Sequence, residues 1–426
     1  MAEINFRKGT YQIRVYLGKD ANGKKITENT TFTPTKTTPK AIEKEVQEFA
    51  RNFEKKVKEG KILSGEKLSL PDVVKEWKQD QTFKDLTKAV QENYVDLLEK
   101  RIYPELSHLK IAKITPMHIQ KIYNEMEKEG KAPKTIKRTN TALNSVLKYA
   151  YRMGIIHENP CDRIRLPKNT ADTSLHYFTL EQSQIFLDCL SKEFSIEHPE
   201  VIRSNGRKIP AYAETVRTQY QFTPYFYLAI YGGFRRGELI ALTWNDIDFD
   251  NQTISINKAV TKTKEGQLIK DTKTVAGNRE IKLPSQCFKV LKKWKVQQLQ
   301  LSISMGNDWK GETGKNFDKN YIFIQIENGL QMHVDTPSKK FKKIIDLYNQ
   351  TCENEEDKLP RIRLHDLRHT SATLLLANHV DIETVSHRLG HSKPSITLDV
   401  YGHWMEETDK TASDTLESLF SQSKQA

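Results

Sequence analysis

The four cysteines of this 426-residue chain, Cys161, Cys189, Cys287 and Cys352, are scattered and form no C-x-x-C pair. Neither a zinc ribbon nor a dense disulfide framework is therefore encoded, and sparse unpaired thiols fit a reducing cytosol. Long apolar runs are missing as well: nothing approaches the ~18 residues of a membrane span, and the N-terminus MAEINFRKGT has no apolar signal core. Internal repeats and long low-complexity tracts are also absent, and the acidic ENEEDK around Glu353 reads as a solvated loop. What remains is a cytoplasmic protein without a membrane partner, long enough for about two to four domains, each with its own core.

Positive charge is what the chain has in excess. Lysine and arginine outnumber aspartate and glutamate 67 to 55, giving a formal net charge of +12 and a pI near 9.2. Such a surface attracts a polyanion over about a Debye length, and nucleic acid is the leading partner. A soluble basic protein with no such partner is the competing reading.

Pattern divides the chain into three parts and predicts a mostly α fold with small β-sheets, an α+β class. Residues 1–64 open with TYQIRVYL and ITENTTF around a Gly-Asn-Lys turn, a small antiparallel sheet. A charged helix follows with Ile42, Val46, Phe49, Phe53 and Val57 at helical spacing. Residues 65–167 carry only helical signals, beginning with Ser69 as a cap, Pro71 just inside it, and apolar Val73, Val74 and Trp77. A later helix interleaves Lys131, Lys134, Lys137, Arg138, Lys148 and Arg152 with apolar Leu143, Val146, Leu147 and Tyr151. Its basic face is either ordinary solvated surface or a contact to a phosphate backbone. Lys24 and Lys25 in the N-terminal turn are read in the same way.

The Pro-containing connector IRLPKNTADTSLHY places a boundary near Lys168, and Thr179 with Gln182 forms a capping box beyond it. In residues 168–426, FYLAIYGGFRRGELIALTW reads as buried helix, sharp turn and helix. QTISINKAVTKTKEGQLIKDTKTVAGNREIKLP reads as three short strands. The tail TASDTLESLF puts Ala412, Leu416, Leu419 and Phe420 on one helical face.

Three clusters hold chemistry. HDLRH has the i, i+4 histidines of the zinc motif H-E-x-x-H. Against a metal stand the shorter acid Asp366, Arg368 on the same face as His365 and His369, and the lack of a downstream third-ligand motif. An anion is the better occupant, because His365 and Arg368 at i and i+3 can meet one phosphate. His369 and Asp366 read as local packing and capping. In the second cluster Arg235 and Arg236 follow Gly232 and Gly233 at a helix junction, a geometry that can seat an anion, with Glu238 near enough to pair. In the third, RLGHSKPSITLDVYGHW offers His391, a loop carrying Pro394, then Tyr401 and His403.

In this order, GGFRRGELIAL, LHDLRHTSATLLL and LGHSKPSITLDVYGH resemble the signature boxes of the tyrosine recombinase, or phage integrase, family. The resemblance spans about Phe178 to His403. The N-terminal parts are similar to that family's three-stranded arm-site-binding domain and its SAM-like core-binding domain. Carried over box by box, it implies that Arg235, His365, Arg368 and His391 surround a scissile phosphate and that Tyr401 is the nucleophile. His365 is then the base that takes the tyrosine proton. Glu238 supports Arg235, and His403 is an accessory residue. The family's hairpin lysine, the acid for the leaving 5′ oxygen, matches Lys273, with Lys262, Lys264 and Lys270 as alternatives. The implied activity is metal-free and ATP-free strand transfer with type IB topoisomerase-like chemistry through a 3′-phosphotyrosyl intermediate. The implied partners are duplex attachment sites (core and arm), a homotetramer on DNA, an excisionase and a DNA-bending host factor, in a bacterial nucleoid. The tail docks on a neighbouring subunit or on its own domain. A zinc hydrolase built on HDLRH and a non-catalytic architectural DNA-binding protein are the alternatives.

Overall fold

A computed structural model describes residues 2–7, 9–19, 25–58, 67–168, 175–198, 200–202, 208–271 and 277–401. The chain divides into two compact units, Met1–Asp172 and Thr173–Ala426.

The first unit opens with β1 (Glu3–Arg7), β2 (Thr10–Lys19) and β3 (Lys25–Phe32), antiparallel in the order β1-β2-β3. Alternation along β2 turns Ile13 and Val15 inward. Helix α1 (Pro39–Lys58) covers that face with Val46, Ala50 and Val57, and Phe49 stacks on Phe32 with ring centroids 4.4 Å apart. The helical part follows: α2 (Leu70–Trp77), α3 (Gln81–Lys84), α4 (Lys88–Leu97), α5 (Tyr103–Leu106), α6 (Pro116–Lys128) and α7 (Pro133–Arg152). At the start of α2, the Ser69 backbone N–H donates to the Asp72 carboxylate at 2.8 Å, satisfying a donor at the helix entry.

Helix α7 buries Ile136, Ala142, Leu143, Val146, Leu147 and Ala150 on one side. The opposite side exposes Lys134, Arg138, Thr141, Lys148 and Arg152. Tyr151, expected among the apolar set, is 56% exposed. At roughly 100° per residue it falls a quarter-turn off the stripe that Ala150 closes.

The second unit begins with α8 (Leu180–Cys189). Two strand pairs that the sequence reading did not anticipate follow: β4 (Glu193–His198) with β7 (Tyr212–Arg217), and between them β5 (Val201–Ile202) with β6 (Lys208–Ile209). Helix α9 (Phe222–Gly232) is apolar around its circumference and runs through the core, burying Phe222, Tyr225, Phe226, Leu228 and Ile230. Each such side chain contributes about 1.5–3 kcal/mol on burial. Gly233 ends α9 with φ +60°, where an added Cβ would lie 2.8 Å from Leu389, and α10 (Arg236–Ala241) departs from it.

A sheet of β12 (Arg279–Lys282), β9 (Thr253–Ile256) and β8 (Ile247–Asp248), in that order, stands beside a separate hairpin of β10 (Lys258–Thr263) and β11 (Gly266–Asp271). The three strands expected here are thus four. QTISINKAV breaks at Asn257 because Thr253–Ile256 pairs with β12 and β8, whereas Lys258–Thr263 pairs with β11. Long helices α11 (Ser285–Met305) and α12 (Thr336–Thr351) close the core.

The last described elements are α13 (Asp366–Ala377), α14 (Ile382–Leu389) and α15 (Pro394–Tyr401). The loop expected around Pro394 is therefore a helix. A proline at the first helical position has its φ preset and lacks an N–H that would be unpaired anyway. Among the described residues no helix is long and apolar enough to cross a membrane.

Candidate active site

Two glycine turns organise the site. The left-handed Gly233 lets its carbonyl accept from Arg368 Nη1 on α13 at 2.8 Å. Gly390, also left-handed at φ +66°, caps α14 and turns its carbonyl to Arg235 Nη2 at 3.0 Å. Each turn thus anchors one arm of an arginine. At Gly390 an added Cβ would lie 2.7 Å from Arg279 Nη1, so both the space and the dihedral require glycine.

Behind these arginines lies Glu238, 2% exposed on α10. It accepts from Arg235 Nη1 at 2.9 Å and from Arg279 at 2.8 and 3.2 Å. Burial works to raise the carboxyl pKa, but the hydrogen bond and charge of Arg279 outweigh it, so Glu238 stays ionised below its ordinary value. Arg279, at the start of β12, also donates from Nε to the Arg388 carbonyl at 2.9 Å. The sequence reading missed Arg279. Its only signal was one more arginine in a basic stretch, and its pairing spans 41 residues.

Arg368 is 4% exposed, and among the described residues its Nη2 has no hydrogen-bond partner. Burial first, then the charge of Arg235, pushes it down to about 9, with Glu238 pulling the other way. An unsatisfied buried donor costs about 1–3 kcal/mol, more when charged. Two guanidinium groups on one carboxylate, with a third, Arg368, in its field, leave a net positive cluster with an unfilled donor, suited to an anion.

His391 Nδ1 is held by Thr397 Oγ1 at 2.8 Å, which leaves Nε2 as the nitrogen that can meet a phosphate. Burial, then Arg368 and Arg235, lowers His391 to about 4. His365, at the N-cap of α13, keeps an exposed surface while protein crowds its other side. Desolvation on that crowded side leads, followed by His369 and Arg368, in bringing it to about 4 as well. Asp366 is buried and bonded to Arg363, accepting its backbone N–H at 2.7 Å and its Nη2 at 2.7 Å.

Tyr401, 2% exposed at the end of α15, has its hydroxyl 2.6 Å from His369 Nδ1. Burial pushes the phenol up to about 12, against the opposing pull of Arg368. The structure therefore puts His369, read from sequence as packing, on the hydroxyl where His365 was expected as base. The i, i+4 pair splits: His369 Nδ1 faces the tyrosine, and His365 stands one turn back with ring centroids 5.6 Å apart.

Lys273, His403, Lys24 and the tail from Thr411 to Phe420 lie outside the described residues. Of the alternative lysines, Lys262 donates to Asp335 at 2.6 Å. Arg236 also contacts Asp335, at 3.3 Å. Lys25 is exposed on β3, and Lys131 lies 3.8 Å from Glu129. Lys134, Arg138 and Lys148 share the exposed face of α7, with Lys137 half-buried at its margin.

Two family models match the chain: "Phage integrase central domain" over residues 70–166, and "Phage integrase family" over residues 205–407, together more than half of its length. The chain belongs to the phage integrase family of tyrosine recombinases. Relatives of this integrase include a XerC-like tyrosine recombinase of Caldanaerobacter subterraneus subsp. tengcongensis, 26% identical over 97% of each chain. The ICEBs1 integrase of Bacillus subtilis is 26% identical over 98% of this chain and all of its own. Among solved structures, Tn1549 transposon integrase in complex with transposon right end DNA superposes with a TM-score of 0.62 at 19% identity. It covers 82% of this integrase and all of that chain. Lambda integrase, as a dimer bound to a core site, gives 0.52 at 16% identity and 93% of each chain. These likenesses show the mostly helical fold with small sheets.

Proposed function

We propose that this integrase is a site-specific DNA recombinase that integrates and excises a mobile element by cutting and rejoining strands through a 3′-phosphotyrosyl intermediate. The observation that carries the catalytic assignment is the buried Arg368 with an unfilled donor, in the field of both Arg235 and the buried Tyr401. Attack on a phosphodiester adds about one negative charge to the non-bridging oxygens in the transition state. Arg235, Arg368 and His391, fixed in advance by glycine carbonyls, Glu238 and Thr397, stabilise that charge more than the ground state. His365, at the N-cap of α13, lies within the field of Arg368 and His369. Lys273 is assigned the protonation of the departing 5′ oxygen, and His403 an accessory contact.

Exchange of one phosphodiester for another of similar energy makes the step reversible, so no ATP is required. Fixed cations take the place a metal would otherwise fill, and the resulting chemistry is that of a type IB topoisomerase whose 5′-hydroxyl comes from another duplex. The relatives' integrase names and the DNA in the solved complexes support duplex attachment sites as substrate. Residues 1–64 are assigned to arm sites, 65–167 to the core site through α7, and 168–426 to catalysis. Four active sites on four strands call for a tetramer, with an excisionase and a DNA-bending factor setting direction. The tail is assigned to docking on a neighbouring subunit.

A nicked duplex spanning the element's own attachment junction tests this reading, with wild type and Tyr401→Phe compared in the presence of a chelator. A covalent adduct that requires Tyr401 and survives chelation is expected. Chelator-sensitive cleavage, or an adduct formed by the Phe variant, contradicts it.

A further inference from the structure

We infer that His369 is a catalytic residue of strand cleavage, accepting the proton of Tyr401 as its oxygen attacks phosphorus. This rests on the reading of Tyr401 as nucleophile. His369 Nδ1 and Tyr401 Oη are 2.6 Å apart, with the rings tilted 58° and centroids 5.7 Å apart. Between a phenol and an imidazole so placed, the charge and tautomer of the ring decide which atom donates. His369 is half-buried on α13; burial lowers its pKa, and Arg363 and Arg368 add to this against the pull of Asp366. The ring is therefore neutral near pH 7 and is assigned the Nε2–H tautomer, in which Nδ1 accepts from the tyrosine O–H.

Burial leaves Tyr401 scarcely ionised at neutral pH, so its proton must depart as the new bond forms. The step balances. The Oη–P bond forms while the P–O5′ bond breaks, and the phenolic proton passes to Nδ1. The 5′ oxygen takes a proton from Lys273 in the reading above. On religation the 5′-hydroxyl attacks phosphorus, giving its proton back to Lys273, as the P–Oη bond breaks and His369, now imidazolium, returns its proton to the tyrosine oxygen. Helix α13 thus presents anion stabiliser and proton acceptor at adjacent positions, Arg368 and His369.

The test uses the full chain in single turnovers on the nicked duplex at saturating DNA. One substrate carries the natural 5′ oxygen at the scissile bond. A second carries a bridging sulfur there, which leaves as thiolate without needing a proton. His369→Ala is expected to slow adduct formation about 10²–10³-fold on both substrates, with DNA affinity changed less than about threefold. A Lys273 variant, by contrast, should recover on the sulfur substrate. His369→Asn places an amide oxygen near the Nδ1 position; it is expected to restore thermal stability but not rate, since an amide cannot hold the proton. Replacing Tyr401 with a more acidic fluorotyrosine should recover rate in His369→Ala more than in wild type.

Three results overturn the inference: His369→Ala within about threefold of wild type, His369→Asn restoring the rate, or sulfur rescue of His369→Ala. Should the alanine variant not fold, the asparagine variant decides alone. If wild type forms no Tyr401-dependent adduct, the recombinase reading itself fails, and this step falls with it.

Discussion

Glu238 shows how a residue far from the reacting atoms governs the site. Its carboxylate is the counter-charge for Arg235 and Arg279, and a buried ion pair that loses one partner strands the other without solvent. Glu238→Gln is expected to destabilise the integrase by about 3–5 kcal/mol and to slow adduct formation as Arg235 loses its hold. Equilibrium urea unfolding measures the first effect; a loss below about 1 kcal/mol contradicts a buried pair. The histidines give a second expectation. His365 and His391 are both held near 4 in the folded chain, below the ordinary value of about 6.5. As pH falls, the unfolded chain takes up these protons first. Their contribution to stability is whole above about 6.5 and drains away towards pH 4. Urea midpoints should therefore fall between pH 7 and pH 4.5, less steeply in His391→Gln; identical slopes in the two proteins contradict the assignment.

Helix α7 carries the prediction at the scale of the element. Its buried stripe and its exposed Lys134, Arg138 and Lys148 lie on opposite sides, so replacing all three by alanine leaves the core intact. If they contact phosphates, binding should weaken on every sequence, and the slope of log affinity against log salt should shrink by about three. An unchanged slope marks α7 as solvated surface. The same helix shows what a sequence reveals: a 3.6-residue period marks the buried side from local information. The extra strands were less legible. FSIEH and YAETVR are short and half-polar, and their pairing reaches across the intervening residues 199–211. Asn257 separates two strands because their partners differ, which no local pattern records. Pro394 by itself suggests a loop, but at the first helical position it begins α15.

Across the whole molecule, the ordered boxes name Arg235, His365, Arg368, His391 and Tyr401, each carried by a short contiguous motif, and the fold sets Arg368 within electrostatic reach of the other four. Arg279 and the role of His369 were out of reach of such motifs. Arg279 meets Glu238 across 41 residues, and His369 meets Tyr401 across 32; only folding brings either pair together. The net charge of +12 adds association that weakens with salt, but it does not choose the reacting atom. That choice is the central claim, and mass spectrometry of the trapped adduct tests it most directly. Digestion of the wild-type complex on nicked attachment-site DNA is predicted to yield a peptide bearing a 3′-linked nucleotide on Tyr401, with Arg368→Ala reducing its yield about 10²–10³-fold. A nucleotide on any other residue, or a yield unaffected by Arg368→Ala, would contradict the account.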